Sequence, residues 1–484
     1  MLLLRRLLHI IGAVVVAVGV SMLAAAATSL IYQEWQDAGL IALAAAITMG
    51  IGWAVWNYFE QPQNLSMKEG FAVVGLTWIA MALFGTLPFL LTGSLDSFTN
   101  AVFETSAGFS TTGASIIADL DAMPRGILMW RSLMQWLGGM GVIVLSIAVL
   151  PLLGTGGVAL AQAESPGPTP DRLTPRFRET AKRLWFVYVG LTALQAVLLV
   201  LGEMTLFEAI NHSLTTLSTG GFGTDGASLG GFSSYSQWVV ILFMVLAGTS
   251  FALHYRALRA PKEYLRNHEF KLYLGIMAAA ALIFAIGERA GAAIADAIRD
   301  AVFTAVSLVT TSGFATADFG QWGPALQVTI VGLMFVGGMA GSTGGSVTPY
   351  RLGVLSGAAR SDLRRVIHPR GVFVTRLGGE TIRPEVVESV QSFFLLYMFI
   401  FMTGTALFAI IAQLDGGGFD VLSSASAVAS SLGNVGPALG ELGPSNTYFE
   451  VPAVNKLLLS FLMLVGRIEI YPILLLFTRE LWRR

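Results

Sequence analysis

Apolar residues run in long blocks along this chain, at 8–31, 38–58, 71–91, 127–153, 184–202, 236–254, 272–287, 322–350, 389–413 and 456–477. A helix crosses the hydrocarbon core of a bilayer with about 20 apolar residues, so these blocks predict about ten membrane helices. Between alternate pairs lie four shorter segments, near 100–112, 207–219, 301–312 and 420–432. Each is too short to cross, yet too apolar and too rich in Ser, Thr and Gly for an ordinary loop. Re-entrant half-helices are the predicted reading.

The charges test that reading. Positively charged loops stay in the cytoplasm. Arg5 and Arg6, Lys68, Arg172 to Arg183, Arg256 to Lys271, Arg360 to Arg376, and finally Arg479, Arg483 and Arg484 all fall on one side if the spans alternate and each short segment returns to the face it left. A full crossing by any short segment would invert the basic loops. Both termini are therefore expected in the cytoplasm. Arg5 and Arg6 before an apolar run resemble a secretory signal, but the run from Leu7 to Ile31 exceeds the 7–15 residues of a signal core, so a retained first span is expected.

Composition removes other classes. Of 484 residues 54% are hydrophobic and 12% charged, against about 25% charged in soluble domains, which excludes a water-soluble fold of this length. A net charge of −1 gives no basic field for nucleic acid. With no cysteine there are no disulfides or thiolate metal sites, and the five histidines show no metal-ligand spacing.

Self-comparison brings out a repeat. The four short segments end in Ser110-Thr111-Thr112-Gly113, Leu217-Ser218-Thr219-Gly220, Thr310-Thr311-Ser312-Gly313 and Ser430-Ser431-Leu432-Gly433, the last followed by Asn434. A cation sheds its water in a bilayer only where oxygens replace it, and backbone carbonyls at a re-entrant turn supply them without burying formal charge. Glycine suits such a turn because a Cβ obstructs the dihedrals that aim successive carbonyls inward. Four half-helix C-termini directed at one axis favour a cation over an anion. One such copy could equally be a small-residue packing patch; four at the same topological position point to a filter lined by these residues. Asp119, Asp121, Asp225, Asp318 and Glu441 follow the filters and are either a cation-concentrating ring or ordinary loop acids.

Two further features interrupt apolar spans. The run from Gly337 to Ser346 is dense enough in glycine to break a helix at membrane depth, and Gly341, Ser342, Thr343, Gly344 and Gly345 are expected to form a loop beneath the filter. A tight helix crossing and a phosphate-cradling loop are the alternatives, and the latter is disfavoured because no Gly-Lys-Ser/Thr follows. Arg467 lies inside the last span, where a central charge costs about 2.5–3.5 kcal/mol. It is expected to face the pore, with a structural pair to Glu469 or a plain contact with helix-break carbonyls as the alternatives.

Gly70-Phe-Ala-Val-Val-Gly, Gln135-Trp-Leu-Gly-Gly-Met-Gly141, Ala163-Glu-Ser-Pro-Gly-Pro168, Ser218-Thr-Gly-Gly-Phe222, Gly341-Ser-Thr-Gly-Gly345, Asn434-Val-Gly-Pro437 and Gly466-Arg-Ile-Glu469 together resemble the Trk/Ktr/HKT superfamily of potassium transporters, most closely its TrkH/TrkG branch, over nearly the whole chain. The resemblance implies an all-α polytopic membrane protein. Two extra N-terminal transmembrane helices (1–60) would precede four pseudo-symmetric helix/pore-loop/helix repeats around one pore, at 61–155, 156–260, 261–378 and 379–484. It further implies the cytoplasmic (inner) membrane of a bacterium, bound K⁺ as the transported ion, no organic cofactor, a homodimer, a gate built from the interrupted helix and Arg467, and a cytosolic nucleotide-binding regulatory subunit, TrkA-like, that this chain does not contain. A glycine in all four filters goes with K⁺ preference in that superfamily. The branch usually carries a lysine where this chain has Thr348, and Leu432 stands where the first three filters have Thr112, Thr219 and Ser312. K⁺ uptake by channel-like conduction is the expected function; a Na⁺- or H⁺-coupled symporter of the same fold is the alternative, and a polytopic membrane enzyme the remote one. The last would need clustered acids or histidines at one membrane face.

Overall fold

The computed structural model describes residues 2–59, 67–148, 173–287 and 294–482. The 163–168 stretch, Arg172, Arg483, Arg484, the end of the expected 127–153 span, and the expected repeat junctions near 60 and 155 lie outside them.

Six helices among the described residues are long and apolar enough to cross a membrane: Leu7–Ile31, Trp35–Tyr58, Glu69–Thr92, Glu179–Leu201, His268–Gly287 and Pro384–Leu414. The fold is all-α and multi-pass, as the hydropathy predicts. The first two helices pack along each other, and the first also rests on Met67–Phe84 and Arg125–Ala148. Their outward faces carry Val20, Leu23, Leu43 and Trp53, exposed apolar side chains of the kind that suits lipid contact.

The four short segments are helices at Phe98–Phe109, Leu206–Leu217, Ile294–Val309 and Val421–Gly433, here called pore helices 1 to 4. Local sequence caps the second and fourth of them with side chains. Thr205 and Glu208 form a reciprocal capping box on the second, and the Asp420 carboxylate accepts from the Ser423 N–H at 2.7 Å on the fourth. Their C-terminal halves are buried and meet in the middle of the protein.

Three expected spans are broken, where hydropathy alone anticipated one. The 236–254 span bends by 99° between Ser234–Ala247 and Phe251–Ala257. The 322–350 span stops after Pro324–Leu333 and resumes only at Pro349–Ile367, as its glycine run predicts. The last span ends at Arg467, turns through Glu469 and Ile470 at φ 60° and 67°, and restarts as Tyr471–Leu476. The extra breaks escape a hydropathy reading because the long apolar blocks on either side outweigh the few polar residues at the turn. A two-residue hairpin on Gly378 and Gly379, both at positive φ, joins strands Arg376–Leu377 and Glu380–Thr381 ahead of the Pro384–Leu414 helix.

Candidate ion-conducting site

Each pore helix ends in the same turn. One residue adopts left-handed backbone: Thr111, Thr219, Thr311 and Asn434, at φ 54–58°. The next residue donates its N–H five residues back, from Thr112 to Ala107, Gly220 to Thr215, Ser312 to Ser307 and Val435 to Ser430, at 2.8–2.9 Å. Then comes a left-handed glycine: Gly113 and Gly221 at φ 77°, Gly313 at 74° and Gly436 at 111°.

This register corrects the sequence alignment in two of the four units. Ser110-Thr-Thr-Gly113 and Thr310-Thr-Ser-Gly313 stand as aligned. In the second unit the left-handed glycine is Gly221, not Gly220, and the turn reads Ser218-Thr-Gly-Gly221. In the fourth it is Gly436, not Gly433, and the turn reads Gly433-Asn-Val-Gly436. Ser431 and Leu432 therefore belong to the last turn of pore helix 4, Leu432 matching Phe109, Leu217 and Val309 rather than Thr112, Thr219 and Ser312. Gly220 and Gly433 drew the alignment because they too are glycines. The physical constraint is a pair of left-handed positions two residues apart, and Asn434 fills the first because Asn tolerates that conformation.

The turns close on one another. A Cβ added to Gly113 would strike the Gly220 carbonyl, one on Gly221 the Ser312 carbonyl, one on Gly313 the Val435 carbonyl, and one on Gly436 the Thr112 carbonyl. The order runs from unit one to two, three, four and back to one, so four carbonyl oxygens and four glycines form a closed ring. Among the described residues no donor reaches the Thr112, Ser312 or Val435 carbonyl.

Behind the ring lies a buried ion pair that the sequence reading missed. Arg131 Nε donates to Glu104 Oε1 at 2.8 Å, with both side chains at most 1% exposed. Arg131 also donates to the Gly223 carbonyl and to Ser115 Oγ, each at 3.1 Å, and its guanidinium stacks 4.0 Å from the Phe222 ring centroid. Glu104 accepts from the Ile116 N–H at 3.0 Å. The pair ties the outward chain of the first unit to that of the second. Two charges inside apolar segments were the available signal, the same one that singled out Arg467. Arg131→Ala leaves Glu104 buried and unpaired and is expected to cost about 3–5 kcal/mol. Thermal unfolding in detergent should show a far larger drop than Arg183→Ala, whose pair with Glu179 is exposed on both sides. Equal shifts would contradict the assignment.

Beneath the ring sits the interrupted helix. Gly337 N–H donates to the Val347 carbonyl at 2.9 Å, which pinches the base of the loop. Its tip, Gly341, Ser342, Thr343, Gly344 and Gly345, lies against the pore turns. Thr219 Oγ1 donates to the Thr343 carbonyl at 2.8 Å, Thr343 Oγ1 reaches the Leu217 and Ala247 carbonyls at 3.0 and 3.1 Å, and the Gly345 N–H donates to Thr311 Oγ1 at 2.8 Å. Arg467, 3% exposed, donates from Nη1 to the same Thr343 carbonyl at 2.6 Å and from Nη2 to the Gly138 carbonyl at 3.4 Å. Of the two alternatives read from sequence, contact with a helix-break carbonyl is therefore present, whereas Glu469 instead binds Arg351 Nη2 at 2.6 Å. Thr348 caps the helix that resumes after the loop, accepting from the Arg351 N–H at 3.4 Å. Glu269 accepts from the N–H groups of Ala340 and Tyr350 at 2.9 and 3.4 Å, on either side of the loop tip.

The outer acids serve their own loops. Asp119, Asp225 and Asp318 accept backbone N–H groups two residues on. Asp121 and Glu441 are exposed. No group of three or more His, Cys, Asp or Glu able to hold a metal ion occurs among the described residues.

Four half-helices that converge inside a multi-pass helical protein on one ring of backbone turns define a pore-loop membrane transporter. The chain belongs to the TrkH family: residues 40–483 match the family described as "TrkH: Cation transport protein". It is 36% identical over 490 residues to the "Trk system potassium uptake protein TrkH" of Vibrio parahaemolyticus, covering 99% of both chains. It is 33% identical over 488 residues to the "Trk system potassium uptake protein TrkG" of Escherichia coli K12, again over 99% of both. The crystal structure of the potassium transporter TrkH from Vibrio parahaemolyticus superposes with a TM-score of 0.91 at 34% identity, covering 99% of this chain and 100% of that one. Membership in a family of cation transporters sets aside the membrane-enzyme alternative.

Proposed function

We propose that this protein is the membrane subunit of a Trk-type potassium uptake system and that K⁺ passes through the four-turn ring by channel-like conduction, gated by the 341–345 loop. The closed ring carries the reading. It presents four backbone oxygens without formal charge. The relatives' names supply potassium as the ion. Thr111, Thr112, Gly113, Ser218, Thr219, Gly220, Gly221, Thr311, Ser312, Gly313, Asn434, Val435 and Gly436 line the filter in this reading, with Ser431, Leu432 and Gly433 as the helix end that supports it.

The same reading places both termini in the cytoplasm, pairs the chain with a second copy, and assigns nucleotide control to a separate TrkA-like cytosolic subunit. A coupled symporter would need an ion site whose access alternates; one continuous ring favours conduction. Expression in cells lacking their own K⁺ systems tests the function. Growth and K⁺ uptake at low external K⁺ support it, and no uptake from correctly inserted protein would refute it.

In this account Arg467 holds the loop closed. Its charge-assisted bond to Thr343 contributes about 1.5–3 kcal/mol. Arg467→Ala is expected to raise basal ⁸⁶Rb⁺ flux while leaving ion preference intact. Unchanged flux across a range of K⁺ concentrations would reduce Arg467 to a scaffold residue.

A further inference from the structure

Three of the four ring carbonyls belong to residues with side chains: Thr112, Ser312 and Val435. The fourth belongs to Gly220, which lies outside the left-handed region and so needs no glycine for its backbone. A Cβ built on Gly220 would meet the side-chain amide of Gln135, whose Cδ, Oε1 and Nε2 are its three nearest atoms. The absent side chain makes room for Gln135.

Gln135 lies in the Arg125–Ala148 helix and is fully buried. Its Nε2 donates to the Gly220 carbonyl at 2.7 Å, and its Oε1 accepts from the Phe222 N–H at 3.1 Å. Those two groups flank Gly221, so one amide grips both sides of the left-handed position. The first and third units brace themselves differently. Thr112 shares a hydroxyl contact with Ser110 at 2.6 Å and takes a bond from Asn434 Nδ2 at 3.0 Å; Ser312 pairs with Thr310 at 2.8 Å. Gly220 has no hydroxyl, and Gln135 stands in for it from a neighbouring helix.

We propose that Gln135 is a positioning residue of the filter: it fixes the Gly220 carbonyl in the ring and thereby sets the preference of the site for K⁺ over Na⁺. The inference rests on the filter reading above. A carbonyl has two lone pairs, so the bond from Nε2 orients the oxygen and still leaves it able to face an ion. A larger cation is favoured only while the ring resists shrinking around a smaller one, and an oxygen tied to a packed helix resists better than one on a free glycine.

The test is ⁸⁶Rb⁺ uptake into proteoliposomes, read as the ratio of the Na⁺ and K⁺ concentrations that halve it. The variants are Gln135→Met, which keeps the length without donor or acceptor, Gln135→Ala, Gly220→Ser, the pair Gln135→Ala with Gly220→Ser, and Gly113→Ser. Gln135→Met and Gln135→Ala are each expected to lower the Na⁺/K⁺ ratio by about threefold or more. Gly220→Ser should lower it too, because its side chain collides with the amide. The paired variant should recover above either single change, since the serine occupies the vacated space and restores a hydroxyl. A native ratio in both Gln135 variants, with a reduced ratio in Gly113→Ser, would overturn the role of Gln135 and leave the filter standing. A native ratio in all of them would overturn the filter reading itself. Additive losses in the pair, or failure of both Gln135 variants to assemble, would make Gln135 a scaffold residue and also refute the proposal.

Discussion

Replacing Gly113, Gly221, Gly313 or Gly436 with serine is expected to lower the preference for K⁺ over Na⁺ by about tenfold or more, because a left-handed residue with a Cβ costs about 1–2 kcal/mol before any clash is counted. The clash is the larger effect. Each new Cβ would strike the ring carbonyl of the next unit, so the substitution displaces an oxygen in one unit by changing a residue in another. Gly433→Ser separates this register from the one read from sequence alone. Gly433 is outside the left-handed region, and its Cβ would meet the Met334 carbonyl at 2.7 Å, at the base of the loop rather than in the ring. Gly436→Ser should therefore change ion preference and Gly433→Ser chiefly the flux. Na⁺ competition against ⁸⁶Rb⁺ uptake distinguishes them, and the reverse result would restore the sequence register.

Deleting residues 341–345 is expected to raise basal flux by about tenfold or more, since neutral hydrogen bonds contribute about 1 kcal/mol each and the loop tip is held by several, one of them from a guanidinium. The deletion removes Thr343, where Thr219, Arg467 and the carbonyls of Leu217 and Ala247 converge, together with the Gly345 bond to Thr311. The bond from Gly337 to Val347 lies outside the deleted stretch and still closes the base, so the rest of the helix pair has a path to remain in place. Because the ring glycines and carbonyls are on other segments, the added flux should keep its ion preference and lose its dependence on any cytosolic regulatory subunit. Equal basal rates in correctly assembled protein would leave this glycine run as a packing feature.

Much of this architecture is legible in the sequence because hydropathy reads membrane spans directly, and because the short Ser/Thr/Gly segments fit neither a span nor a loop. The finer register is not, and the reason is conformational. Glycine identity marks where a Cβ is missing but not why. Gly220 lacks one to admit Gln135, Gly221 to hold positive φ, and only the backbone distinguishes the two. Asn434 carries the left-handed role of Thr111 under a different side chain, so a search for matching residues passes over it. The breaks at 248–250 and 468–470 are silent because the long apolar blocks on either side outweigh the few polar residues at the turn, Thr249 and Ser250 in one and Arg467 and Glu469 in the other, and hydropathy does not register a turn in the backbone. Arg467 was visible as a charge in an apolar span and a helix-break carbonyl was among its candidate partners, but the choice against Glu469 needed the structure, because Glu469, two residues away in sequence, turns with the helix break toward Arg351. Glu104 and Arg131 carried the same signal of intramembrane charge, and their pairing across 27 residues needed the fold to bring them together.

The central claim is that one ring of backbone oxygens selects the ion while a separate loop controls its passage. The most direct measurement is ⁸⁶Rb⁺ uptake into proteoliposomes holding either the native protein or the 341–345 deletion, with K⁺ or Na⁺ as competitor at equal concentration. The account predicts that K⁺ suppresses uptake strongly and Na⁺ weakly in both, with the deletion faster throughout. Equal suppression by Na⁺ and K⁺ in the native protein, or a deletion that gains flux only by losing that discrimination, would contradict it.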